Sequence, residues 1–101
     1  MFGDMMGKLK EMQQQTEEIK KRLDTISVEG EAENGLVKVI ATANKKITSI
    51  TIADSLMADG DKEQIEDLMI VAINKVIEKA ENVSNAEMAG VAKGMLPGMG
   101  M

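Results

Sequence analysis

The sequence predicts an α+β protomer in which a helix, a three-stranded antiparallel sheet and further helices follow one another along the chain. Three observations support this order: helical apolar spacing near both ends, an Asn34-Gly35 dipeptide between two short β-type segments, and a third β-type segment after a polar turn. The chain has 101 residues, which suits one compact domain, and we place that domain at residues 1–93.

The first helix is predicted over residues 8–24, where Lys, Glu, Gln, Leu and Met predominate and Pro is absent. Apolar residues recur there at alternating steps of four and three, which is the spacing of a coiled-coil seam. The seam consists of Met5, Leu9, Met12, Thr16, Ile19, Leu23 and Ile26, of which only Thr16 is polar. This seam packs either on its own domain or on a partner. A helix of this length outreaches a three-stranded sheet, so we expect its unburied part to need a partner.

The sheet is predicted over residues 27–52 and begins with a hairpin. Asn-Gly between two β-type segments is a strong hairpin signal because both residues accept positive φ in a type I′ turn. The turn sets Glu33 opposite Leu36 and Glu31 opposite Lys38, which is a favourable cross-strand charge pair. The face expected to lie on the core carries Val28, Gly30, Ala32, Val37, Val39 and Ala41.

The third strand and the second helical region follow. Strand residues 47–52 should place Thr48, Ile50 and Ile52 on one side. Asp61 and Gln64 resemble a capping box, and we predict helices over residues 61–93, with 84–93 either extending the helix or forming a short separate one. Residues 94–101 are rich in Met and Gly, and we expect them to form a flexible tail.

Composition removes most enzyme classes. The chain contains no Cys and no His, which excludes disulfide scaffolds, thiol nucleophiles and imidazole acid–base chemistry. The acids at 54–63 do not have EF-hand spacing, and the glycines form neither a P-loop nor a dinucleotide fingerprint. The longest apolar run, residues 68–73, is far shorter than the roughly 20 residues that span a bilayer. We therefore expect no catalysis, no cofactor, no metal, no small-molecule substrate and no membrane partner.

The net charge of −5 argues against generic nucleic-acid binding, but charges more than about 8 Å apart are largely screened from one another, so a local basic patch can still bind phosphate. Lys20-Lys21-Arg22 is the one run of three basic residues in the sequence. The candidate phosphate contacts are Lys8, Lys10, Lys20, Lys21 and Arg22 on the first helix, with Lys45 and Lys46 in the later turn also placed to meet an anion. The alternative is a solvated helix face, because Glu17, Glu18 and Asp24 lie beside these cations.

Short motifs along nearly the whole chain resemble those of the YbaB/EbfC family of bacterial nucleoid-associated proteins. They are Met1-Phe2-Gly3, Met12-Gln13-Gln14, Gly35-Leu36-Val37-Lys38-Val39, Ile50-Thr51-Ile52, Ser55-Leu56, Asp61-Lys62-Glu63, Glu66-Asp67-Leu68, Ala72, Asn74 and Gly94-Met95-Leu96-Pro97-Gly98. Their order and spacing carry the resemblance. The sequence departs from the family at Ala53-Asp54, where Asp-Pro is usual, and this affects a turn.

The resemblance implies a tweezer-like homodimer with projecting helices that binds double-stranded DNA and influences nucleoid organisation and gene expression in the cytoplasm. The resemblance does not identify individual DNA-contacting residues in this sequence. The assignment of the five cations of the first helix as DNA contacts is therefore our own inference. For the homodimer we expect contacts from apolar residues of the sheet and the later helix, namely Val37, Val39, Ile65, Leu68, Met69, Ala72 and Ile73. The alternative is a protein-interaction module that uses the first helix's seam and binds no DNA.

Overall fold

The computed structural model describes residues 2–59 and 61–95, with side chains for residues 5–59 and 61–90. The elements are α1 (Phe2–Asp24), β1 (Ser27–Ala32), β2 (Val37–Thr42), β3 (Ile47–Ile52), α2 (Asp54–Asp59) and α3 (Lys62–Met95). The strands form one antiparallel sheet in the order β1-β2-β3. This arrangement confirms the predicted α+β class and its order of helix, three strands and helices.

The first helix starts earlier than predicted, and one short helix was not predicted at all. α1 begins at Phe2 rather than at residue 8, because Gly3 and Gly7 each cost only about 1 kcal/mol in a helix and no Pro interrupts the segment. The six-residue helix α2 was not predicted, since so short a segment shows no periodicity. Burial of Leu56 in the core, where it is 3% exposed, holds α2 in place.

The C-terminal region is one helix rather than two. α3 runs unbroken from Lys62 to Met95, so residues 84–93 extend the helix. The expectation of a tail from residue 94 is wrong for Gly94 and Met95, which are helical. A single Gly such as Gly94 does not break a helix. Residues 96–101 of the predicted tail lie outside the described residues.

The hairpin register is confirmed from Val28–Ala41 through Glu31–Lys38 to Ala32–Val37. Leu36 N donates to Glu33 O at 3.2 Å, closing a turn in which Asn34 and Gly35 have positive φ, as predicted. Glu33 also has a positive φ of 50°, so the ladder ends at Ala32–Val37 and the predicted Glu33–Leu36 strand pair does not form. The core face is the predicted one.

A β-bulge changes which residues of β3 face the core, so the predicted set is partly wrong. Ile50 pairs with Val39 and Ile52 with Val37, but the register shifts so that Ile47, rather than Thr48, lies opposite Ala41. Edge bulges commonly re-aim side chains in this way. The side of β3 that faces the core therefore carries three isoleucines, and two of them, Ile47 and Ile50, are 41% and 42% exposed.

The main core lies between the sheet and α3. Along α3 the buried positions recur every fourth residue and are Leu68, Ala72, Val76 and Ala80. They pack with Leu56 of α2 and the inner face of β1 and β2, where Val37 and Val39 are 0% exposed. Hence Val37, Val39, Leu68 and Ala72 belong to the protomer's own core, where Leu68 is 9% exposed and the other three are 0% exposed, which argues against their assignment to the dimer interface. Ile65, Met69 and Ile73 are half-buried at the edge of this core.

Among the described side chains of α1, those from residue 5 onward, only the ones in its last turns are packed against the rest of the protein. Ile19 and Leu23 are buried in a second small cluster with Ala43, joined by Ile26 and Val83 of α3. Toward the N-terminus the same seam is open, with Met5, Leu9 and Met12 at 67%, 57% and 49% exposure. The molecule is correspondingly elongated: its radius of gyration is 19.3 Å, against about 13 Å for a compact chain of this length.

Gly30 lies where α3 packs against β1, and the close approach of the two backbones there leaves no room for a side chain. A Cβ there would lie 2.5 Å from Ala72 O and 2.6 Å from Val76 N, both backbone atoms. We expect Gly30→Ala to lower the free energy of unfolding by about 2 kcal/mol or more, measured by urea titration. Gly7→Ala is the matched control, since its Cβ meets nothing within 4 Å; it should stabilise α1 by about 0.5–1 kcal/mol. Equal stability of the two variants would contradict this account of the contact.

Candidate nucleic-acid interface

The C-terminal end of α1 is bonded directly to the turn between β2 and β3. Ala43 N donates to Leu23 O at 3.2 Å and to Ile26 O at 2.9 Å. Thr25 N and its hydroxyl both donate to Arg22 O, at 3.0 Å and 2.6 Å. Two of the final carbonyls of the helix, those of Arg22 and Leu23, therefore have partners, and the turn is fixed beside the helix end.

The side chain of Asn44 forms a second connection at this junction. Its Nδ2 donates to Lys20 O at 2.7 Å and to Asp24 Oδ1 at 2.7 Å. These two acceptors are four residues apart and so lie one above the other on α1. The contact joins segments 20 to 24 residues apart in sequence and brings Lys20 next to the turn that carries Lys45 and Lys46.

Thr42 stabilises the same turn through hydrogen bonds within it. Thr42 N donates to Lys46 O at 2.8 Å, and Lys45 N donates to Thr42 O at 2.9 Å. The Thr42 hydroxyl accepts from the backbone N–H groups of Asn44, at 3.2 Å, and Lys46, at 3.4 Å. Lys45 has a φ of 69°, the left-handed conformation that a tight turn requires. The backbone that carries Lys45 and Lys46 is thus closely specified.

Five cations lie on the two segments that meet here, three at the end of α1 and two in the turn, and we call them the cationic cluster: Lys20, Lys21, Arg22, Lys45 and Lys46. Two of them have acidic partners on α3, with Arg22 Nε 3.4 Å from Glu87 and Lys45 Nζ 3.0 Å from Glu81. Exposed pairs of this kind are worth at most about 1 kcal/mol, so a phosphate can replace the carboxylate. Among the described side chains, no carboxylate lies within 4.0 Å of the ammonium groups of Lys20, Lys21 or Lys46.

The position of the cluster also suits positive charge. The carbonyl end of a helix carries a partial negative charge, which stabilises cations in its last turn. Lys21 and Arg22 occupy the last turn of α1. The four lysines and Arg22 are exposed to solvent, as phosphate contacts require.

The structure does not bring every predicted DNA contact together. Lys20, Lys21 and Arg22 belong to the cluster, whereas Lys8 and Lys10 lie on the projecting part of α1. Along the helix axis Lys10 is about 15 Å from Lys20. Lys8 borders the apolar seam and lines a shallow groove with Glu11, Met12 and Gln15. Lys8 and Lys10 are exposed but separate from the cluster.

Sequence reasoning missed the role of Asn44 in this arrangement. It identified Lys45 and Lys46 as able to meet an anion but gave no reason to place them beside Lys20. The Asn44 contact is a tertiary one, and an Asn followed by two Lys predicts only a polar turn. No pattern in the sequence could have shown that contact.

The profile of the YbaB/EbfC DNA-binding family matches residues 1–95. The chain belongs to this family. A nucleoid-associated protein of Flavobacterium johnsoniae is 52% identical over 93 residues, which cover 92% of this chain and 86% of the relative. A nucleoid-associated protein of Neisseria meningitidis serogroup C is 38% identical over 101 residues, covering 98% of this chain and 91% of that protein.

A crystal structure of an uncharacterized protein from Helicobacter pylori shows the same fold. The two structures superpose with a TM-score of 0.73 over 94% of this chain and 96% of that chain, at 19% sequence identity. Within residues 2–59 and 61–95, no helix of this YbaB/EbfC family member is long and apolar enough to cross a membrane. Among the side chains of residues 5–59 and 61–90, no group of three acidic residues could hold a metal ion.

Proposed function

We propose that this YbaB/EbfC family member binds duplex DNA through the cationic cluster, as a nucleoid-associated protein of the cytoplasm that influences nucleoid organisation and gene expression. The observation that carries the proposal is the meeting of Lys20–Arg22 with Lys45 and Lys46 at one end of α1. Membership of a DNA-binding family and the names of the two relatives support it.

The chemistry of the cluster favours contacts to the DNA backbone. Lys and Arg side chains neutralise phosphates and release counterions without reading sequence. The only aromatic residue in the sequence is Phe2, so stacking on single-stranded bases has almost no support. Lys10 and Lys21 are eleven residues apart on α1, which places them on one face of the helix about 16 Å apart. A duplex that lies along α1 could meet both.

We also propose that the protein has no catalytic activity of its own. The sequence provides neither imidazole nor thiol, and the cluster contains ammonium and guanidinium groups, which serve as electrostatic contacts. Electrostatic attraction to phosphate needs no group with a tuned proton affinity. Binding alone accounts for every feature of the interface.

A homodimer completes the proposal, and β3 is the element best suited to form it. β3 lies at a sheet edge and has the sequence Ile-Thr-Ser-Ile-Thr-Ile, without a charge or a Pro to prevent pairing. The opposite edge, β1, carries Glu29 and Glu31, and Lys79 Nζ donates to Glu29 O at 2.7 Å. Edge-to-edge pairing of β3 with its symmetry copy would give a continuous six-stranded sheet.

Apolar side chains beside β3 support the same dimer. Lys79 marks the β1 side of α3, so by helical geometry Ile70, Ile73 and Ile77 lie on the β3 side. Ile70 is 57% exposed, and Ile50 of β3 is 42% exposed. A two-fold axis near the middle of β3 would bring these surfaces together and cover them, as a self-complementary interface requires. These residues replace Val37, Val39, Leu68 and Ala72 in our proposal for the interface.

A second candidate function, favoured by the open seam at Met5, Leu9 and Met12, is docking of a partner protein without any DNA role. Three exposed apolar side chains on one helix stripe are typical of a helix-docking surface. It remains second because family membership points to DNA.

The DNA interface predicts a change in salt dependence. Replacing one cation from each segment, Lys20→Ala with Lys46→Ala, should weaken duplex binding and flatten the plot of log affinity against log salt by about 0.9 for each phosphate no longer neutralised, or about 1.8 in total. Fluorescence anisotropy with a labelled duplex at several salt concentrations measures the affinity and its salt dependence. Lys62→Ala with Lys75→Ala removes the same charge from α3 and should leave the slope unchanged. Identical slopes for the two double variants would remove the cluster from the mechanism.

The dimer proposal predicts that Ile50→Asp converts the protein to a monomer, because two buried carboxylates would face each other across the axis. Light scattering coupled to gel filtration gives the mass. Thr51→Asp is the control, since Thr51 pairs with Lys38 and so lies on the opposite face of the same strand. A parent protein that is already monomeric at micromolar concentration would refute the dimer, as would an Ile50→Asp protein of unchanged mass.

The partner-docking alternative predicts that a partner protein copurifies with the parent protein and that Leu9→Asp abolishes this copurification. It also predicts that the parent protein binds no duplex DNA. Gln14→Asp, on the opposite face of α1, is the control for helix integrity. Salt-dependent duplex binding by the parent that Leu9→Asp leaves intact would reject this alternative as the main function.

A further inference from the structure

We propose that Asn44 is a positioning residue of the DNA interface: its side-chain amide sets the spacing between Lys20–Arg22 and Lys45–Lys46 so that both segments meet one duplex. This inference rests on the proposed function and adds a residue that carries no charge. It starts from the two 2.7 Å hydrogen bonds that join Asn44 Nδ2 to α1.

The stoichiometry of these bonds makes the contact specific. A side-chain amide nitrogen has two hydrogens, and here each has an acceptor on α1, one a backbone carbonyl and one a carboxylate. Two bonds to acceptors one helical turn apart fix both the distance and the rotation of the turn relative to the helix. A hydroxyl or a methyl group at position 44 could not do both.

The fold does not depend on this amide. Thr42 closes the turn through its own backbone and hydroxyl, and Ala43 N bonds the helix end at Leu23 O and Ile26 O. Asn44 itself is exposed. Loss of its side chain therefore leaves the turn formed and still bonded to the helix end through Ala43, but removes the two bonds that set the distance and rotation of the Lys45–Lys46 segment relative to Lys20.

The second acceptor, Asp24, gives the contact an electrostatic consequence. Asp24 follows Lys20 by four residues and Lys21 by three, the spacings at which helix side chains form ion pairs. Its Oδ1 is instead occupied by Asn44, and no described carboxylate lies within 4.0 Å of the Lys20 ammonium. Asn44 thus engages Asp24, one of the three acids beside these cations, and neither Glu17 nor Glu18 forms an ion pair with them within 4.0 Å. The ammonium groups of Lys20 and Lys21 therefore stay available to phosphate.

The test is Asn44→Ala, which changes no charge. We expect duplex affinity to fall roughly five-fold, as a positioning penalty of about 1 kcal/mol implies, and the salt slope to flatten by about 0.9 as Asp24 captures one lysine. Asn74→Ala on α3, an exposed amide with no hydrogen bond among the described side chains, is the matched control and should bind as the parent does. The urea midpoint of both variants should stay near that of the parent.

A double-mutant cycle separates positioning from lysine capture. In a protein that already carries Asp24→Asn, the residue at 24 still accepts a hydrogen bond but cannot capture a lysine, so Asn44→Ala should still lower duplex affinity several-fold but should no longer flatten the salt slope. An affinity penalty that disappears together with the slope change would overturn the positioning role. If Asn44→Ala proves unstable, NMR on the unaltered protein replaces it: the Asn44 side-chain amide signals should persist and shift as a short duplex is added, and their disappearance into exchange with water would overturn the proposal.

The outcomes distinguish this inference from the function on which it rests. Normal binding by Asn44→Ala together with weak binding by the Lys20 and Lys46 double variant rejects the role of Asn44 and keeps the interface. Normal binding by both rejects the interface itself.

Discussion

The packing of α3 across β1 and β2 is the contact on which the rest of this structure depends. It is unusually close because the strand presents Gly30 to the helix backbone at Ala72 and Val76, and the surrounding side chains are small. With a single aromatic residue in the chain, dense packing of Val, Ala and Leu must supply the apolar burial. Close approach is therefore how a core without large rings becomes stable.

That packing has consequences at both ends of the molecule. Because α3 sits over β1 and β2, the inner face of β3 is left open, with Ile47 and Ile50 partly in solvent. The second cluster is small, with Ile19, Leu23 and Ala43 buried in it, so among the described side chains of α1 only those of the last turns are packed, while Met5, Leu9 and Met12 stay exposed. One tight contact thus leaves a sheet edge free for a second copy and a helix free to extend along a ligand, which are the two features that the proposed DNA-binding dimer uses.

The interface shows how an acidic protein can present positive charge. The chain carries −5 overall, yet tertiary contacts at one helix end assemble five cations and place the nearest acids against defined partners. At physiological salt the field of distant carboxylates is screened within about 8 Å, so the local arrangement decides what binds. Family membership says that DNA is the ligand class, and this geometry says which surface is suited to it.

The class and order of elements, the hairpin register and the inner face of β1 and β2 could be predicted from the amino-acid sequence, because they follow from local periodicity and from the positive φ that Asn34-Gly35 accepts. The Lys20-Lys21-Arg22 segment was also visible in the sequence. The fold was needed to show that Ile47 replaces Thr48 on the inner face, that Val37 and Val39 belong to the protomer's own core, and that Asn44 brings Lys45 and Lys46 to Lys20. Those features depend on contacts between residues far apart in the chain, and local sequence patterns do not predict which distant groups come into contact.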